Sequence, residues 1–85
     1  MAAPFGGHPT LAQYMQWIRE CGGHCKCGYR TDKRGRPISL VKIVADNGKS
    51  VIVSGVDQAE HMVPTYVAYL DRRLGVNSPW FKLSG

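Results

Sequence analysis

The chain has 85 residues, 44% of them hydrophobic and 20% charged, with a formal net charge of +5 at neutral pH. At 9.4 kDa and a pI near 9.4, it has room for one hydrophobic core and not two, and its composition excludes a mostly disordered polymer. No apolar run reaches the roughly 18 residues a spanning helix needs, and residues 1–9 lack the basic start and apolar stretch of a signal peptide. The expectation is a folded cytoplasmic protein whose basic balance favours anionic partners and no membrane.

Residues 1–9 contain Pro4 and Gly6-Gly7 without periodicity and read as a flexible lead-in. From residue 10 the pattern is helical. Thr10 and Gln13 have the spacing of a capping box, in which each side chain satisfies the other's free backbone amide. Leu11, Tyr14, Met15 and Ile18 then recur on one face, with Cys21 extending the stripe, and Gly22-Gly23 ends the helix. His24–Arg30 reads as a short strand, residues 31–37 as a loop, and residues 38–46 as a β-branched strand. Asn47-Gly48 predicts a two-residue type I′ turn, and residues 49–54 return as its partner strand. A second helix is expected to start near Val63 or Pro64, with Val63, Val67, Leu70 and Leu74 as its apolar stripe. Gly75 closes it, and Arg72 and Arg73 suit the dipole of its last turn. Residues 10–76 thus form one domain, followed by a tail at 77–85.

The order α-β-β-β-α predicts an α+β fold: a three-stranded antiparallel meander with both helices packed on one face. With a two-residue turn, Val44 faces Val51; Leu40, Lys42 and Val53 share their side, and Val41, Ile43 and Ile52 take the other. Both sides are apolar enough to want cover, so Trp80 and Phe81 of the tail, or a second subunit in a homodimer, are expected over the face that the helices leave bare. Trp17, Tyr66 and Tyr69 read as border residues of the helices.

The 3 cysteines are an odd number packed into residues 21–27, which points to free thiols in a reducing compartment and not to a disulfide framework. Cys21, His24, Cys25 and Cys27 offer zinc-type ligands. Cys25 and Cys27 nevertheless fall on one side of a strand and His24 on the other, and no second pair follows downstream. Neither a metal nor a cofactor is expected. Ser39, Ser50 and Ser54 have no His or acid partner in sequence, so no catalytic residue is assigned.

Residues 22–75 resemble two small α-β-β-β-α families. Gly22-Gly23 opening the first strand, Asp46-Asn47-Gly48-Lys49 leading into Val51-Ile52-Val53, and Pro64-Thr65 starting a helix that ends at Leu74-Gly75 are similar to the HicA-type messenger-RNA interferases, toxins of bacterial toxin–antitoxin pairs. The same order resembles the double-stranded-RNA-binding domain. The first resemblance implies ribonuclease activity with a histidine in the second strand. This chain has Ser39, Leu40 and Val41 there, no histidine between residues 25 and 60, and only His8, His24 and His61 elsewhere. The second resemblance implies RNA contacts from the loop between the first two strands and from a basic start to the last helix. Here the loop is basic, while Asp57, Gln58, Glu60 and His61 precede the helix.

That loop carries the functional expectation. Lys26, Arg30, Lys33, Arg34, Arg36 and Lys42 are 6 of the 11 basic residues of the chain, against the single acid Asp32 in the same stretch. Clustered Lys and Arg on a hairpin attract phosphate without base contacts. Gly35 permits close approach, and Tyr29 suits stacking on an unpaired base. The chain therefore reads as a small non-catalytic nucleic-acid-binding module, with RNA favoured over DNA. Two alternatives remain: a phage or bacterial regulator whose interaction domain binds an acidic protein, and a HicA-like ribonuclease toxin.

Overall fold

A computed structural model describes residues 8–81. Helix α1 (Leu11–Glu20) is followed by strands β1 (His24–Thr31), β2 (Pro37–Val44) and β3 (Ser50–Ser54), helix α2 (Pro64–Leu74) and a 3₁₀ turn at Pro79–Phe81. The strands form one antiparallel sheet in the order β1-β2-β3, so the chain is an α+β domain. Among the described residues, no helix is long and apolar enough to cross a membrane.

The capping box starts α1 as its spacing requires. The Gln13 amide donates to Thr10 Oγ1 at 3.1 Å and the Thr10 amide to Gln13 Oε1 at 2.8 Å. Leu11, Tyr14, Met15 and Ile18 are buried, whereas Cys21 is the exposed C-cap and does not extend the stripe. Gly23 then admits no side chain: a Cβ there would collide with the Val44 carbonyl oxygen and the Ile18 methyl. The second helix begins at Pro64 and ends at Gly75, whose φ of 67° is left-handed. Its stripe is Val67, Leu70 and Leu74. Val63, expected in that stripe, is the exposed N-cap, and Met62 is buried beside it instead.

The β2–β3 register differs from expectation by one residue. Val44 pairs with Ser50, Ile43 with Val51 and Val41 with Val53. The connection is a three-residue loop, Asp46-Asn47-Gly48, in which the Ala45 amide donates to the Lys49 carbonyl at 2.8 Å and the Gly48 amide to the Ala45 carbonyl at 2.9 Å. Gly48 has positive φ but Asn47 does not, and a type I′ turn needs both. Asn47 serves α2 instead: its Nδ2 donates to the Leu74 carbonyl at 2.9 Å, and its Oδ1 accepts from the Lys49 amide at 2.8 Å. A one-residue slip exchanges the two faces of a strand. Val51 and Val53 therefore join Val41 and Ile43 in the core, and Ile52 moves to the open side.

Both helices cover that single apolar face, α1 against β1 and β2 and α2 against β3. The Tyr14 hydroxyl ties them together, donating to Asp71 Oδ1 at 2.6 Å, while Asp71 Oδ2 accepts from the amide and hydroxyl of Ser78 at 2.9 and 2.8 Å. Burial first, then the Asp71 hydrogen bond and charge, push the Tyr14 hydroxyl far above the ordinary tyrosine range. Trp80 stacks on Tyr14 at 5.9 Å between ring centroids and meets Trp17 edge-on at 6.0 Å. It therefore seals the helical layer and does not cover the opposite sheet face, correcting the expected position. The Phe81 side chain and the remainder of the tail, like residues 1–7 of the lead-in, lie outside the described residues.

Candidate functional site

The register sorts the basic residues by face. Alternation along the strands puts His24, Lys26, Gly28 and Arg30 of β1 on the side away from the helices. Ile38, Leu40, Lys42 and Val44 of β2 and Ser50, Ile52 and Ser54 of β3 lie on the same side. Among the described residues, the strands place no carboxylate and no aromatic ring on this open face. Lys26 stands directly opposite Lys42, and Ile52, 59% exposed, follows on β3 as the partner of Lys42. Like charges placed directly across strands oppose pairing. A Cβ built on Gly28 meets nothing within 4 Å, so the floor between Lys26 and Arg30 is bare.

Beyond Gly28 and Leu40 the sheet narrows to two strands, because β3 ends at Ser54 opposite Leu40. Residues 29–39 continue as a two-stranded finger with Arg30 paired to Ile38. Its tip repeats the construction of the second hairpin. The Asp32 amide donates to the Arg36 carbonyl at 2.9 Å, the Gly35 amide to the Asp32 carbonyl at 3.0 Å, and Gly35 has a φ of 83°. Asp32 Oδ1 accepts from the amides of both Arg34 and Arg36 at 2.8 Å. The only acid of the finger thus holds the loop's backbone, and Lys33, Arg34 and Arg36 are exposed at the tip. The six expected residues therefore form two groups. Lys26, Arg30 and Lys42 share one flat face, and Lys33, Arg34 and Arg36 crown the finger that extends it.

Tyr29 is 72% exposed but lies on the helix side of the finger, away from Lys26, Arg30 and Lys42. There it borders an open cleft of about 690 Å³ also lined by Cys27, Ser39, Asp57, Gln58 and Glu60. Gln58 Nε2 reaches Cys27 Sγ at 3.3 Å, and Asp57 Oδ1 accepts from the Ala59 amide at 3.1 Å. Acidic groups on this side and cations on the other give the finger two faces of opposite character. The cleft carries no signal in the sequence, because it arises only when residues 55–60 fold back beside β1 and β2.

The thiols and histidines are dispersed. The Cys25 thiol points toward the Met15 carbonyl at 3.9 Å, and burial raises its pKa, Arg19 opposing and Cys27 adding to the shift. Among the described residues, no group of three or more His, Cys, Asp or Glu is placed to hold a metal ion. His24 pairs with Val44 at the end of the sheet away from the finger, and His61 donates from Nδ1 to the His8 carbonyl at 2.7 Å. Compared with protein families, curated proteins and solved structures, the chain matches none.

Proposed function

We propose that this domain is a non-catalytic nucleic-acid-binding module that lays the open sheet face and the basic finger against a phosphate backbone. The observation that carries the reading is the direct pairing of Lys26 with Lys42 on a face whose strands bring no carboxylate to it. Juxtaposed cations favour a bound anion between them, and Arg30 and the tip residues Lys33, Arg34 and Arg36 extend the same field along the finger. Counterion release then supplies the affinity and makes it salt-dependent. RNA is the polymer that the double-stranded-RNA-binding resemblance implies.

The test is a titration of wild type and of the triple variant Lys33→Ala/Arg34→Ala/Arg36→Ala against labelled RNA and DNA at several salt concentrations. Removing the three cations should weaken binding to all sequences alike and reduce the salt slope by about one for each phosphate no longer neutralised. Wild-type protein that binds neither polymer at low salt overturns the proposal.

A second reading, an acidic protein partner, is favoured by one feature. Strand β1 is a sheet edge of 8 residues, and its outer side can pair with an added strand. A pull on acidic peptides with no affinity for nucleic acid would select it. A HicA-like ribonuclease would need His24 or His61 as its base. RNA cleavage abolished by His24→Ala or His61→Ala is the result that would establish it.

A further inference from the structure

We infer that the polymer this surface fits is B-form duplex DNA, with the two-stranded finger entering the major groove. The inference rests on the nucleic-acid reading above and replaces its RNA preference with a geometric argument.

Three observations carry it. The first is shape. The finger is two strands wide, about 5 Å between backbones, and the major groove of B-DNA, about 12 Å wide and 8.5 Å deep, admits such a ribbon with its side chains. Past Tyr29, whose partner Ser39 still accepts from the Gly55 amide at 2.9 Å, the strands advance about 7 Å to Thr31 at about 3.4 Å per residue, and the tip at residues 32–36 supplies the rest of the groove's depth. The major groove of an A-form RNA duplex is too narrow for side chains to read.

The second observation is the chemistry of the cationic face. Recognition of single strands relies on aromatic platforms, yet the strands bring none to the open face: its side chains are Lys, Arg, Ile, Leu, Val, Ser and His. Tyr29, the aromatic of the finger, lies across the sheet by the acidic cleft. Cations and aliphatic groups side by side are what a major groove rewards. Arg and Lys pair with guanine O6 and N7, and apolar side chains meet the thymine methyl. Arg30 and Ile38, a cross-strand pair on the finger, supply one of each.

The third is preorganisation. Asp32 fixes the tip by accepting from the Arg34 and Arg36 amides, so less loop entropy is lost when the cations dock. The third strand ends at Ser54 opposite Leu40, and the segment that follows it flanks only the base of the finger, at Tyr29, Pro37 and Ser39.

The experiment uses the full chain and fluorescence anisotropy at low salt with four probes: a 20-base-pair DNA duplex, the RNA duplex of the same sequence, and the two DNA strands alone. The expected result is binding to the DNA duplex at least about tenfold tighter than to the others, a difference of about 1.4 kcal/mol. Methyl green, a major-groove ligand, should displace the protein, and netropsin, a minor-groove ligand, should not. Arg30→Ala and Ile38→Ala should each weaken duplex DNA binding, with unchanged thermal melting as the control that the finger is intact. Equal or tighter binding to duplex RNA or single strands, or displacement by netropsin alone, overturns this inference and leaves the nucleic-acid reading standing. Absence of binding to all four probes removes both.

Discussion

Ile43 and Ile52 lie on adjacent strands, yet Ile43 is fully buried and Ile52 remains 59% exposed. The side of the sheet holding Ile43 packs against Leu11, Tyr14, Met15, Ile18, Val67, Leu70 and Leu74. The side holding Ile52 presents Lys26, Lys42 and Arg30 among half-buried aliphatic residues. One layer of helices stabilises the first side, and the chain's own cations keep the second in water. The contrast separates two roles that strand-forming residues share: Ile43 holds the domain together, and Ile52 contributes to the uncovered face.

Replacing Ile43 should have the largest effect. Ile43→Ala removes buried methyl groups and leaves a cavity, with an expected loss of about 2–5 kcal/mol in urea or guanidinium unfolding. Asn47→Ala comes next, because it deletes both the bond to the Leu74 carbonyl at the end of α2 and the bond inside its own loop. The expected loss is about 1–2 kcal/mol, and the measurement also reports on the observed register, since a two-residue turn would not place Asn47 there.

Tyr14→Phe gives a pH-dependent difference. In the unfolded chain Tyr14 releases its proton near the ordinary value of 10.0, whereas in the fold the proton is held to far higher pH. Unfolding therefore releases a proton above that point, and stability falls as pH rises, by up to about 1.4 kcal/mol per unit for this one group. The phenylalanine variant should lose that contribution, so its stability should decline less steeply than wild type between about pH 10 and pH 11. Parallel curves would mean that the Tyr14 hydroxyl is not held as described.

The smallest stability effects belong to the open side. Ile52→Ala should change stability by no more than about 0.5 kcal/mol at any protein concentration. A larger loss that grows with concentration would break the contrast, showing that a second copy covers this face. The finger variant Lys33→Ala/Arg34→Ala/Arg36→Ala should be equally silent in melting, and its cost should appear in nucleic-acid affinity alone.

The helices and strands were legible because their signals are local. Thr10 and Gln13 sit three apart, and Pro64 and Gly75 bracket the second apolar stripe. The basic finger was legible for the same reason, since its cations crowd a short stretch. What escaped depends on contacts between distant segments. Asn47-Gly48 has the composition of a two-residue turn, and only the helix end at Leu74 gives the Asn47 side chain a partner that favours the longer loop. That one choice reversed the faces of Val51, Ile52 and Val53. Trp80 has no periodicity to place it, and it joined Tyr14 and Trp17 because Asp71 fastens Ser78 next to the helices. The grouping of Lys26, Arg30 and Lys42 on one side follows from alternation, but which residues of β3 join them emerges only with the observed register.

Gly23 and Gly28 have opposite tolerances, and together they mark how this chain can vary over evolutionary time. At position 23 even a methyl group runs into Val44 and Ile18, so the passage from α1 to β1 is closed to every other amino acid. Position 28 faces open space at the centre of the cationic side, where added bulk leaves packing untouched and alters only what can lie against the sheet. Descendants of this sequence should therefore keep the first glycine unchanged and tolerate other residues at the second.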